Sequence, residues 1–171
     1  MKNRHDFADD WPSPNPFMLE LGRMTCVWGA LESAVNIAIS KLAGYKGALD
    51  YRAVILVAHS NFQQRIDIIN SLCEQLLPSN PALAGYKKVI ASIETAQKAR
   101  NKYAHNGLVM NPEKGEVTIG FASARGSLKT KVEVVRVQDI LEATAKIHEA
   151  MCNLHTLVMG KELKPMWERG T

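Results

Sequence analysis

The sequence predicts a mainly α-helical fold: a bundle of four main helices with a small antiparallel β-hairpin or meander inserted before the last one. Three observations predict it. Apolar residues recur at alternating steps of three and four in four separate segments, which places each set on one stripe of a helix. The period changes once, between about residues 107 and 137, to short β-type runs separated by turn residues. Glycine and proline stand at the junctions between segments.

The elements follow in order. Residues 1–15 read as an N-terminal arm, because Pro12, Pro14 and Pro16 and the acids Asp9 and Asp10 oppose regular structure. The first helix begins near Pro16 and carries Phe17, Leu21, Met24, Trp28, Leu31, Val35, Ala38 and Leu42, with Gly44 and Gly47 ending it. A second helical region runs from about Asp50 to Leu77, with Ile55, Phe62, Ile66, Ile69, Cys73 and Leu76 on its stripe. The polar run His59-Ser60-Asn61 is a place for it to break, and Pro78 stops it. Asn80 is suited to cap a third helix that starts with Pro81. Its stripe is Leu83, Tyr86, Ile90, Ile93, Gln97, Arg100 and Ala104, and Asn106-Gly107 closes it.

Strands are expected at Leu108 to Met110, Glu116 to Phe121 and Leu128 to Val137. In the last of these Val132 and Val134 alternate with Lys131 and Glu133, so one face should be dry and the other wet. Asp139 stands near the start of a fourth helix with Ile140, Thr144, Ile147, Met151, Leu154 and Val158 on its stripe and Gly160 at its end. Residues 16–160 therefore form one domain, with 107–137 as its β insert and 161–171 as a tail of no clear period.

Composition narrows the function classes. The chain has 171 residues, enough for one domain with a full core, and is 46% hydrophobic and 22% charged, which argues against disorder of the whole. A net charge of +4 permits an RNA or nucleotide partner without requiring one. Cys26, Cys73 and Cys152 lie far apart in helical patterns, without a CxxC pair, so neither a disulfide frame nor a zinc knuckle is expected. The opening Met1-Lys2-Asn3-Arg4-His5-Asp6 leads into acids and Pro12 rather than an apolar run. No signal peptide, no membrane partner and a cytoplasmic location are the expectation.

The third helix breaks its own rule. After Leu83, Tyr86, Ile90 and Ile93, the same face or its border holds Gln97, Arg100, Asn101 and His105. Asn101 and His105 are one turn apart and stack on one side, and Arg100 flanks them. A guanidinium, a carboxamide and an imidazole at a face that should be apolar are costly unless they hydrogen-bond internally or line an anion-binding cleft.

Arg100-Asn101-Lys102-Tyr103-Ala104-His105 resembles the R-x4-6-H motif of the HEPN superfamily, including the polar residue after the arginine and the position late in an internal helix of a bundle. Trp28, Leu31-Glu32 and the run from Phe62 to Ile69 look similar as well. The resemblance implies a HEPN-like bundle and a metal-independent endoribonuclease of toxin or defence type without cofactors. The alternatives are a non-catalytic module that binds RNA, a nucleotide or a protein, and a purely structural dimerisation domain. It also implies a homodimer in which two motifs face each other. Arg100 would hold the phosphate, Asn101 would orient His105 or the phosphate, and His105 would take the proton of a ribose 2′-OH or deliver one to the leaving 5′-oxygen. One HEPN branch paired with nucleotidyltransferase antitoxins carries a tyrosine two residues after the histidine. Gly107 stands there, which leaves an antitoxin or defence partner open, and Tyr103 does not substitute for it.

Lys98, Lys102, Arg125 and Lys129, with Lys131 and Arg136, are candidates for a basic rim that follows an RNA backbone; a solvated face is the plainer reading. Glu32 could pair with Arg100 across the bundle. His148, Cys152 and His155 have the spacing of three metal ligands on one helix face, but the border of a core stripe explains them better and no metal is expected. His59 reads as a helix-break residue and Trp28 as a core anchor.

Overall fold

The computed structural model describes residues 11–47, 50–124 and 126–169. Five α-helices and three strands are present among them. Helix α1 (Asn15–Leu42) is followed by α2 (Tyr51–Val57), α3 (Phe62–Leu76), a 3₁₀ turn over Pro81–Gly85 and α4 (Tyr86–Ala104). Strands β1 (Leu108–Asn111), β2 (Glu116–Ser123) and β3 (Lys129–Val134) precede α5 (Val137–Met159). The fold is mainly helical with one small antiparallel sheet, as the change of period predicts.

The second helical region does break at His59-Ser60-Asn61, and the cause is local. The Asn61 side chain accepts the Gln64 amide at 2.9 Å while Gln64 Oε1 accepts the Asn61 amide at 2.8 Å, a reciprocal cap that starts α3 afresh. Asp50 caps α2 by accepting the Arg52 amide at 2.9 Å. In α5, Asp139 accepts the Arg136 amide at 2.8 Å, and Gly160 ends the helix in the left-handed region at φ 65°. Asn80 departs from expectation. Its side chain makes no cap, and the chain passes through the 3₁₀ turn before α4 begins. Gly107 does not close α4 by a left-handed turn either; the Asn106 side-chain amide donates to the Lys102 carbonyl at 2.9 Å instead.

The core lies where α1 packs between α3 and α5, with α4 against α5. Leu31, Val35, Ile66, Ile69, Cys73, Ile93, Ile140 and Ile147 are closed to solvent. Ile55 is a correction: it was expected on the core stripe and is 66% exposed. Alpha2 is a separate short helix that turns only Ala53 and Val57 inward, so the spacing from Ile55 to Phe62 is not one continuous stripe.

The sheet is a meander of order β1-β2-β3. Its register places Leu108 opposite Ile119 and Ile119 opposite Glu133, and that row faces the helices. Val109, Thr118 and Val134 form the next row, on the outer face. The sided reading of the last strand is therefore reversed. Val132 and Val134 are 70% and 54% exposed, while Glu133 is half-buried and Val135 fills the inner row beyond the strand.

The ends of the domain differ from a free arm and a free tail. Ser13 is buried, and residues 1–10 of the expected arm lie outside the described residues. In the tail, the Met166 amide donates to His148 Nε2 at 3.0 Å, the Leu163 amide donates to Thr156 Oγ1 at 3.0 Å, and Trp167 meets the His148 ring edge-on at 5.5 Å. The tail thus packs along α5. No helix among the described residues is long and apolar enough to cross a membrane.

The two isoleucines separate the core from the surface. Ile93→Ala should lower stability by about 2–5 kcal/mol, the usual cost of emptying a sealed core site, whereas Ile55→Ala should change it by less than ~0.5 kcal/mol. Urea unfolding of both variants measures the difference, and equal losses would contradict the assignment of α2.

Candidate anion-binding site

On α4 the buried positions are Tyr86, Ile90, Ile93, Ala96 and Tyr103. The steps three, four and three from Ile93 through Ala96 and Arg100 to Tyr103 put Arg100 on the inward stripe itself. Gln97 is half-buried and Ala104 exposed, so both expected stripe positions sit one residue off the inward line. Asn101 is half-buried. His105 is exposed and leaves the helix, with φ −114° and ψ 1°.

Arg100 meets the underside of α1. Its guanidinium carbon lies 5.2 Å from the centroid of the Trp28 ring, which packs in turn on Phe62 of α3 with centroids 4.5 Å apart at an angle of 48°. Nη1 donates to Asn101 Oδ1 at 3.2 Å and approaches His105 Nε2 at 3.5 Å. The structure therefore brings together the three residues singled out from the sequence. It does not add Glu32, which makes no ion pair with Arg100 among the described residues.

Arg100 differs chemically from its fellow arginines. Arg52 grips Asp50, and Arg136 grips Asp139, each through the Nε and Nη2 edge of the guanidinium. Arg23 holds Glu20 at 2.7 Å. Arg65 and Arg169 donate from Nε to the Ser60 and Lys164 carbonyls. Among the described residues Arg100 has neither a carboxylate nor a backbone carbonyl, and its Nε and Nη2 edge carries no partner. That edge is the planar fork that fits two oxygens of a carboxylate or a phosphate.

The expected basic rim is only partly assembled. Lys102 Nζ binds Glu133 Oε2 at 2.7 Å and lies over the Phe121 ring at 6.0 Å, so it fastens β3 to α4 instead of standing free. Lys131 binds the other oxygen of Glu133. These hydrogen bonds from Lys102 and then Lys131 hold the Glu133 carboxyl down at about 2, and Glu133 in turn raises Lys102. Lys98 and Lys129 are exposed, and Lys98 is two residues from Arg100, which turns it to another side of α4. Arg136 is held by Asp139. Arg125 lies outside the described residues. Tyr103 is buried, and burial pushes its hydroxyl above the usual range, in keeping with a packing role.

Of the α5 trio, His148 has another engagement, and His155 Nδ1 is buried without a hydrogen-bond partner among the described residues. Cys152 Sγ lies 3.8 Å from His148 Nε2, but that nitrogen accepts the Met166 amide, and burial followed by the Arg169 charge lowers the His148 pKa. No group of three His, Cys, Asp or Glu side chains among the described residues could hold a metal ion. His59 is exposed at the end of α2. Sequence reading missed two partners, Trp28 beneath Arg100 and Glu133 on Lys102. Both are distant in the chain, and no local pattern encodes them.

No family model matches the chain, and neither do any curated proteins or solved structures.

The Glu133 clasp gives a pH dependence of stability. A carboxyl whose folded pKa lies below its ordinary 4.5 contributes stability that is complete above that value and is lost as pH falls through about 2. Glu133→Gln should therefore destabilise the protein at pH 7, and the gap to wild type should shrink by pH 3 and close near pH 2. Urea midpoints measured across that range test it; a gap that is constant with pH would assign the loss to packing alone.

Proposed function

We propose that this chain is a metal-independent endoribonuclease of the HEPN type, of the toxin or defence class, acting through Arg100, Asn101 and His105. One observation carries the reading: the unoccupied Nε and Nη2 fork of Arg100 beside the His105 imidazole. A phosphodiester offers two oxygens to such a fork, and an exposed imidazole next to it can accept or donate a proton.

In the proposed reaction the ribose 2′-oxygen attacks phosphorus and gives its proton to an imidazole. The bond from phosphorus to the 5′-oxygen breaks, and that oxygen takes up a proton. The products are a 2′,3′-cyclic phosphate and a 5′-hydroxyl. Arg100 carries the charge that builds on the phosphoryl oxygens. Two copies paired through the C-terminal turns of α4 would bring two His105 rings to one phosphate, one accepting and one donating a proton. Antitoxin or other defence partners, and action in the cytoplasm, belong to the same proposal.

One contact favours a second reading. The 3.5 Å approach of Arg100 Nη1 engages His105 Nε2, and an imidazole whose lone pair is held in this way does not act as a base at that nitrogen, which leaves Arg100 to bind a phosphate-bearing RNA or nucleotide without cleavage. The two readings separate in one assay. Purified protein should cut labelled single-stranded RNA slowly, with or without EDTA, and leave DNA of the same sequence intact because DNA lacks the nucleophile. His105→Ala should slow cleavage by roughly 10²-fold or more, Arg100→Ala should do similar damage, and Asn101→Ala less. RNA that is bound but left whole by wild type would replace cleavage with the binding reading. Light scattering should give a dimer at micromolar concentration, and a monomer would remove the paired-histidine step.

A further inference from the structure

Resting on the reading of Arg100 as the phosphate-holding group, we infer that Trp28 is its positioning residue. The indole face would set the guanidinium so that the Nε and Nη2 fork stays open to the anion.

A guanidinium on the inward stripe of a helix needs a partner. A carboxylate would supply one, as Asp50 does for Arg52 and Asp139 for Arg136. It would also fill the fork and oppose an incoming phosphate. An aromatic face attracts the same charge through its quadrupole and uses none of the five N–H donors. Trp28 offers such a face. It is 5% exposed, packed against Phe62, and its ring centroid is 5.2 Å from the Arg100 guanidinium carbon. Burial excludes Trp28 from stacking on a nucleotide base, so its action on a ligand passes through Arg100. Asn101 and His105 fix the Nη1 end, and Trp28 fixes the plane. Together they hold a long, rotamer-rich side chain in one pose before any ligand arrives, and that pre-ordering favours attack geometry.

The test uses the full chain with Trp28→Leu, which keeps apolar bulk and removes the π face, and Trp28→Phe, which keeps a face. In wild type the Nε–H proton of Arg100, assigned by its loss in Arg100→Ala, should resonate upfield of the other arginines because the guanidinium lies over the indole. It should shift further on addition of inorganic pyrophosphate. In Trp28→Leu the upfield position should disappear and the pyrophosphate response weaken by roughly ten-fold in affinity. Trp28→Phe should retain most of both. RNA cleavage should follow the same order, with the loss in kcat more than in KM. An Arg100 Nε–H at an ordinary position in wild type overturns the inference without any variant, and so does a Trp28→Leu protein that binds pyrophosphate as wild type does. If wild type cuts no RNA but shows the upfield proton and its Trp28-dependent response, the nuclease reading fails and the positioning role of Trp28 stands.

Discussion

The rest of the structure depends on the burial of α1. This helix of 28 residues touches every other α-helix in the domain. Leu31 and Val35 at its centre are closed to solvent, and without α1 the α3 helix loses its main packing surface and α5 keeps only the side that meets α4. Like most helices in proteins, it gains more stability from tertiary packing than from intrinsic propensity. Its stripe includes Trp28, which lies by Arg100 where α4 turns from isoleucine to arginine. The core and the candidate site therefore share one indole, which is both part of the apolar interior and the seat of a charged group.

Polar chemistry in the domain is sorted around Tyr103. On one side of Tyr103, Lys102, Glu133 and Lys131 form a clasp in which two ammonium groups share one carboxylate, tying an otherwise thin sheet to the helix before it. On the other side Arg100 is left without an acid among the described residues. Two cations two residues apart in the chain thus have opposite fates: Lys102 is consumed by structure, and Arg100 is held ready. A count of basic residues near the motif does not make this distinction, because charge that already has a partner attracts little else.

Most of the architecture was legible in the sequence because it rests on local periodicity. The stripe of α1, the switch to strands after Gly107, the break before Asn61 and the stop at Gly160 all depend on neighbours within a few positions. The misreadings share a cause as well. Ile55 continues a helical spacing across a break, and Val132 and Val134 continue an alternation whose phase is set only by pairing with β2. Sequence gives the period of an element but not the direction of its face when the neighbour that decides it is remote. The site divides in the same way. Arg100, Asn101 and His105 stand out because they violate a local rule, whereas Trp28, 72 positions upstream of Arg100 by numbering, looks like any core tryptophan.

The attachment of the tail to His148 has a consequence for the chemistry of α5. A backbone amide can only donate, so the Nε2 that accepts from Met166 must keep its lone pair, and the ring hydrogen resides on Nδ1. The tautomer is thereby imposed by the main chain. The nitrogen nearest the Cys152 sulfur has its electron pair already spoken for, and the thiol itself is 1% exposed. A histidine and a cysteine one turn apart are the ingredients of a thiolate–imidazolium pair or a soft-metal chelate. Here the Met166 amide acts as a blocking group that keeps the pair inert for as long as residues 163–169 stay against the helix.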